Sequence, residues 1–293
     1  MIPMNDNSEI EKSNIETTHK HFKHLAFGLG VGLGVFFLYQ LLGGGSVAIL
    51  LLTNSKEWIW LVQGIGQILF MLLPALILSK YSPLGKTGLL RLKGHTSLKQ
   101  WIAGLLGILA MQVFASSLSL IQELLIPESI MPLYVALKQQ MELLYTMLLG
   151  GGGIINLTKG LLIGALIPAV SEEVLFRGVI QRSLEEELSP LRAILWTGTI
   201  FGVIHFNPTD IIGLIVIGIY IGVLAYSTRS LLLPIAVHFV NNAIAVVAMN
   251  VNNGNSSDLP NGIPIWIAGL LCTSSFAVVV LCARLVLKER TEY

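Results

Sequence analysis

The stretch 154–180, IINLTKGLLIGALIPAVSEEVLFRGVI, decides the fold. At ~1.5 Å per helical residue it reaches about 40 Å, more than the ~30 Å hydrocarbon core of a bilayer. No charge interrupts it between Lys159 and Glu172. It therefore reads as a membrane-spanning helix. Its last third then departs from that pattern with Glu172, Glu173 and Arg177. Ionisable groups inside a span cost a few kcal/mol or more and mark function by default.

The rest of the chain agrees with this segment. Hydrophobic residues make up 54% of the 293 and charged residues 12%, about half the globular norm of ~25%. Mean hydropathy is +0.75. Disordered, fibrous and ordinary water-soluble classes are excluded. A formal net charge of +1 supplies no field that would draw the chain to nucleic acid.

Reading outward for further apolar runs predicts an all-α membrane protein, a polytopic bundle of about eight transmembrane helices. The expected spans are 25–48, 58–79, 101–125, 154–180, 191–206, 211–227, 231–249 and 263–285. Asn207-Pro208-Thr209-Asp210 predicts a tight turn between the fifth and sixth. The mixed segment 133–149, with Lys138, Gln139, Gln140 and Glu142, reads as an interfacial amphipathic helix. A polar amino-terminal tail, 1–24, lacks the apolar region of a signal peptide. A single transmembrane domain, 25–286, follows, with a motif-bearing core at 154–249 and a tail at 287–293. With eight spans and both termini cytoplasmic, only Lys56, Lys138 and Lys159 of the 18 Lys and Arg fall outside. That bias sets the expected orientation in the cell membrane. Cys272 and Cys282 share one apolar run. Ten helical residues put them ~15 Å apart, too far to pair with each other.

A filter for ionisable groups inside spans returns Glu172, Glu173, Arg177, His205 and His238. Glu173 and Arg177 are four apart and share a helix face, so they pair. Glu172 points ~100° away. Two carboxylates in different surroundings suggest two roles, Glu172 the base and Glu173 the anchor. Phe201 and His205 are four apart on the fifth span, as are His238 and Asn242 on the seventh. His205 opposite Glu172 suits holding and deprotonating a water. His238 beside Asn242 suits stabilising an oxyanion. Depth poses a difficulty: from their cytoplasmic ends Glu172 lies ~12 Å in, His238 ~10 Å and His205 ~20 Å. These agree only if the fifth span tilts or starts deeper. A water-filled cavity open to the cytoplasm is expected. Glu185-Glu186-Glu187 reads as a solvated face, and Gly198, Gly202, Gly213, Gly218 and Gly222 as packing sites.

Three motifs stand in order: E-E-x-x-x-R at 172–177, F-x-x-x-H at 201–205 and H-x-x-x-N at 238–242. Together they resemble the CPBP family, which unites CAAX prenyl endopeptidases with bacteriocin-processing and abortive-infection proteins. The resemblance covers about 172–242. It implies an intramembrane endopeptidase acting on a membrane-associated peptide or protein. Glu172 and His205 would activate water, His238 and Asn242 would form the oxyanion side, and Glu173 and Arg177 would support them. A metal reading stands beside it: Glu172, His205 and His238 supply two imidazoles and a carboxylate, a set zinc accepts, although H-E-x-x-H is absent. A proton-coupled transporter and a non-catalytic membrane immunity or scaffold protein are the alternatives from other classes.

Overall fold

The computed structural model describes residues 23–91, 94–252 and 263–290. The expected tail 1–24 lies outside the described residues apart from Lys23 and His24, as do 291–293 of the other tail. All regular structure among the described residues is helical. We number the helices α1 (Lys23–Leu52), α2 (Lys56–Tyr81), α3 (Gly85–Leu89), α4 (Leu98–Leu125), α5 (Met131–Leu149), α6 (Ile154–Leu184), α7 (Pro190–Val203), α8 (Ile211–Thr228), α9 (Leu232–Val251) and α10 (Ile265–Lys288). All but α3, α5 and α7 are long and apolar enough to cross a membrane.

The expected fifth span is therefore shorter than read. Helix α7 has 14 residues, about 21 Å at ~1.5 Å per residue, well under a ~30 Å hydrocarbon core. Its helix stops before the apolar run does, and Phe206 takes a left-handed φ of 50°. The expected turn at 207–210 closes on its own side chains. Asn207 Nδ2 donates to Asp210 at 2.9 Å, and the Thr209 hydroxyl and backbone N–H both donate to Asn207 Oδ1. Asn207 and Thr209 are buried. Irregular backbone is tolerated at membrane depth when protein covers it and its polar groups are met.

The long helices are not uniform. Wider π turns interrupt α1 at Gln40–Gly44, α2 at Ile68–Leu72 and α6 at Gly160–Leu166 and Val174–Gln181. Two of these have a local cause. Pro74 follows the turn in α2, and Pro168 follows the first in α6. A proline lacks the N–H of a regular ladder and crowds the carbonyl four residues back, so the preceding turn widens. Glu172 and Glu173 close the short α segment Ile167–Glu173 between the two π stretches of α6. Such bulges recur at functional sites.

Two apolar clusters build the interior. One joins Val35, Phe36 and Tyr39 of α1 and Met71 of α2 to Leu175, Phe176 and Ile180 of α6 and Phe201 of α7. The other joins Ile108 and Met111 of α4, Tyr220 and Leu224 of α8, Val237 of α9 and Val279 of α10. Large apolar side chains also face outward, among them Leu41, Leu52, Leu125 and Trp266. That outward face suits lipid rather than water. Helix α4 packs chiefly on α10, α7 on α8, and α9 on α6.

One expectation about the cytoplasmic side is corrected. Glu185 is not a solvated residue: its side chain is 7% exposed and pairs with buried Arg91 at 2.5 Å. Arg91 also donates to the Ala225 carbonyl of α8 at 2.6 Å, and Glu185 accepts from Gln181. Burial lowers the Arg91 pKa and the Glu185 carboxylate opposes that. Carboxylate and guanidinium desolvate together here because each has a partner.

Candidate active site

The site lies at the seam between the two apolar clusters. Glu172 and Glu173 come from α6, Phe201 and His205 from α7 and its end, and His238 from α9. Arg177 donates to Glu173 Oε1 at 2.9 Å and to the Gly218 carbonyl at 3.0 Å. Both members of the pair are fully buried. The same Glu173 oxygen meets His238 Nδ1 at 2.8 Å. One carboxylate thus holds a guanidinium and an imidazole, on different helices.

Phe201 is the apolar counterpart of that junction. Its ring centroid stands 5.2 Å from Phe176, 4.5 Å from His205 and 5.9 Å from His238. The Arg177 guanidinium sits 4.7 Å from the ring centre. The ring therefore fixes both imidazole planes and helps neutralise a buried cation.

Glu172 faces the other way, as the ~100° offset predicts. Its Oε2 lies 3.9 Å from Nε2 of His205 and 3.9 Å from Nε2 of His238. Its Oε1 accepts from Gln67 Nε2 of α2 at 3.1 Å. His205 Nδ1 lies 2.6 Å from the Phe201 carbonyl, which only accepts, so Nδ1 carries the proton. His238 Nδ1 likewise donates to the Glu173 carboxylate. In the neutral rings both Nε2 atoms then present lone pairs toward Glu172.

The expected depth conflict eases for two of the three residues only: counted from the ends of their helices at ~1.5 Å per residue, Glu172 and His205 now both lie roughly 20 Å in, whereas His238 stays at about 9 Å. Helix α6 continues to Leu184, four residues past its expected end, which sets Glu172 about 6 Å deeper. His205 lies beyond the end of α7 rather than inside a span. Asn242 is half-buried one turn past His238, and its Oδ1 accepts from Asn241 at 3.1 Å. The contacts that tie the other six expected residues together do not include it.

Donor chemistry alone would suit a metal: two bare imidazole nitrogens, each fixed through its other nitrogen, and a carboxylate. The spacing does not fit. Zinc ligands at ~2.1 Å in a tetrahedron stand about 3.4 Å apart, and these donors stand at 3.9 Å. Among the described residues no group of three or more His, Cys, Asp or Glu side chains is placed to hold a metal ion.

Residues absent from the sequence motifs also reach this region. Gln67 touches Glu172 directly, and Gln63, four residues earlier on the same face, donates to the Tyr39 hydroxyl at 2.5 Å. Two amides at helical spacing within an apolar span were the available signal. Helix α5 contributes Tyr145, which shares a cavity wall with Asn207 and Asp210. The residue as a whole is 41% exposed, yet desolvation of the phenol raises its pKa, with Asp210 and then Glu172 adding to the effect. Past this tyrosine opens a cavity of about 470 Å³ lined by Glu123, Lys138, Tyr145, Asn207 and Asp210. It lies toward the carboxyl end of α4 and the amino end of α10, the end away from the Arg91–Glu185 pair. Glu172, His205 and His238 are not among the residues that line it.

No curated protein and no solved structure matches the chain. Residues 155–244, from the start of α6 to just past Asn242, match the family described as "Rce1-like: Type II CAAX prenyl endopeptidase Rce1-like", consistent with the CPBP family.

Proposed function

We propose that the chain is an intramembrane endopeptidase that hydrolyses a peptide bond of a membrane-associated peptide or protein, with Glu172 as the group that activates water. The observation that carries this reading is the single carboxylate oxygen equidistant, at 3.9 Å, from two imidazole nitrogens on different helices. Glu172 Oε2 and His205 Nε2 accept hydrogen bonds. A water among them gives one O–H to Glu172 Oε2 and one to His205 Nε2, and keeps a lone pair for the substrate carbonyl carbon. Addition forms the C–O bond and moves a proton to Glu172. Collapse breaks the C–N bond, and that proton goes to the departing amine.

The oxyanion falls to His238 and Asn242. Because Glu173 takes the Nδ1–H and is already paired with Arg177, His238 donates from Nε2 only as an imidazolium, whose charge the oxyanion itself offsets. Asn242 supplies an Nδ2–H, because its contact with Asn241 is made through Oδ1. Glu173, Arg177 and Phe201 are supports. We place both termini on the cytoplasmic side of the cell membrane, in line with the basic-residue bias.

The test compares the peptides of membranes carrying the native chain with those carrying Glu172→Gln. A purified arm uses the native chain in nanodiscs and a fluorogenic farnesylated CAAX peptide. Fragments that vanish with Glu172→Gln, at equal membrane abundance, are the expected result. Cleavage that persists at the native rate in that variant removes Glu172 from the role.

A further inference from the structure

We infer that Gln67, on a helix outside the family-matched segment, is a positioning residue that sets which oxygen of Glu172 faces the two imidazoles. The inference rests on the protease reading above and adds to it a residue from the other part of the bundle. A carboxylate at the end of a flexible side chain can present either oxygen, or both, to its surroundings. Here Gln67 Nε2 holds Oε1 at 3.1 Å, so Oε2 is the oxygen left for His205 and His238.

The donor is itself held. Gln67 is 3% exposed and is the last residue of the regular segment Ile59–Gln67, immediately before the π turn Ile68–Leu72. That turn packs against the α6 segment bearing Glu172. One turn earlier, Gln63 donates to Tyr39 of α1. Two consecutive turns of α2 thus present amides to polar groups on neighbouring helices. A buried amide aimed at the one carboxylate left partly open to the site does more than satisfy itself. It removes a rotational freedom from the reacting group before substrate arrives.

The experiment has two arms on the full chain in nanodiscs. The first is a thermal-unfolding cycle of Gln67→Met, Glu172→Leu and the double variant. The expected result is non-additive: Gln67→Met lowers Tm in the native background and does little once Glu172 is gone. Additive shifts overturn the contact. The second arm reads turnover on the farnesylated CAAX peptide. Gln67→Met is expected to lower kcat about 10- to 100-fold with KM changed less than about twofold. Gln67→His, whose Nε2–H reaches to a similar point, is expected to recover much of that loss. Undiminished kcat in Gln67→Met, or a histidine variant no better than methionine, overturns the positioning role. A native chain that cleaves nothing overturns the protease reading and the catalytic sense of the contact with it, while the cycle still decides the contact.

Discussion

At the scale of single residues, the buried carboxylates divide their work by what surrounds them. Glu173 has no route to solvent and serves Arg177 and His238 through one oxygen. Glu173→Ala leaves the guanidinium buried with the Gly218 carbonyl and the Phe201 ring but no counter-charge in contact among the described residues, and breaking such a pair from one side costs about 3–5 kcal/mol. The expected outcome is a large fall in Tm, partly recovered in Glu173→Ala/Arg177→Met, which removes the stranded charge. Equal Tm for the single variant and the native chain would count against the pair as a structural anchor. Phe201→Leu should be milder, because it keeps most of the volume and loses ring contacts worth about 0.5–1.5 kcal/mol each. Its cleavage rate should fall more than its stability, since both imidazoles lean on that ring. The motif residues were legible because charged groups and histidines in apolar runs stand out. Gln67 was not, because a neutral amide in a span does not trip a filter for ionisable groups.

At the scale of elements, the meeting of α7 and α8 sets where His205 sits. The two helices touch through glycines. A Cβ on Gly198 would stand 2.7 Å from the Ile219 nitrogen, and one on Gly202 would stand 2.8 Å from the Ile215 nitrogen. Backbone atoms cannot swing aside as a side-chain tip can, so Gly202→Ala must push α7 away from α8. The expected cost is about 1–3 kcal/mol, with loss of cleavage because His205 lies three residues on. Gly213→Ala is the control: its Cβ would meet Ala115 at an ordinary 3.6 Å, and both readouts should stay near native. The stripe of small residues was readable, yet spacing alone could not separate Gly213 from the positions where backbones meet. Sequence also overran the end of α7. Hydropathy continues through Ile204 and Phe206, but the Asn207-Pro208-Thr209-Asp210 turn satisfies its own polar groups, so the chain leaves the helix early without stranding them.

At the scale of the whole molecule, the short α7 raises a question of parity that the connections answer. Helix α6 ends at Leu184 and α7 begins at Pro190, while α8 ends at Thr228 and α9 begins at Leu232. Helices α7 and α8 pack extensively on each other and are joined by residues 204–210, as in an antiparallel hairpin. Both ends of that hairpin then lie on the same side, whether its turn reaches the far surface or stops within the bilayer. If each of the other six long helices crosses once, they make an even number of crossings, so the two termini are expected to share a side in either case. The side should be the cytoplasm, because Lys56, Lys138 and Lys159 are the only basic residues assigned to the opposite one. Reporter fusions before Met1 and after Tyr293 are expected to give the same cytoplasmic signal. With Cys272 and Cys282 replaced, a cysteine at Lys56 should react with an impermeant thiol reagent added from outside. Termini reporting opposite sides would mean that α8 crosses alone, and α7 could not then lie along it and carry His205 to Glu172.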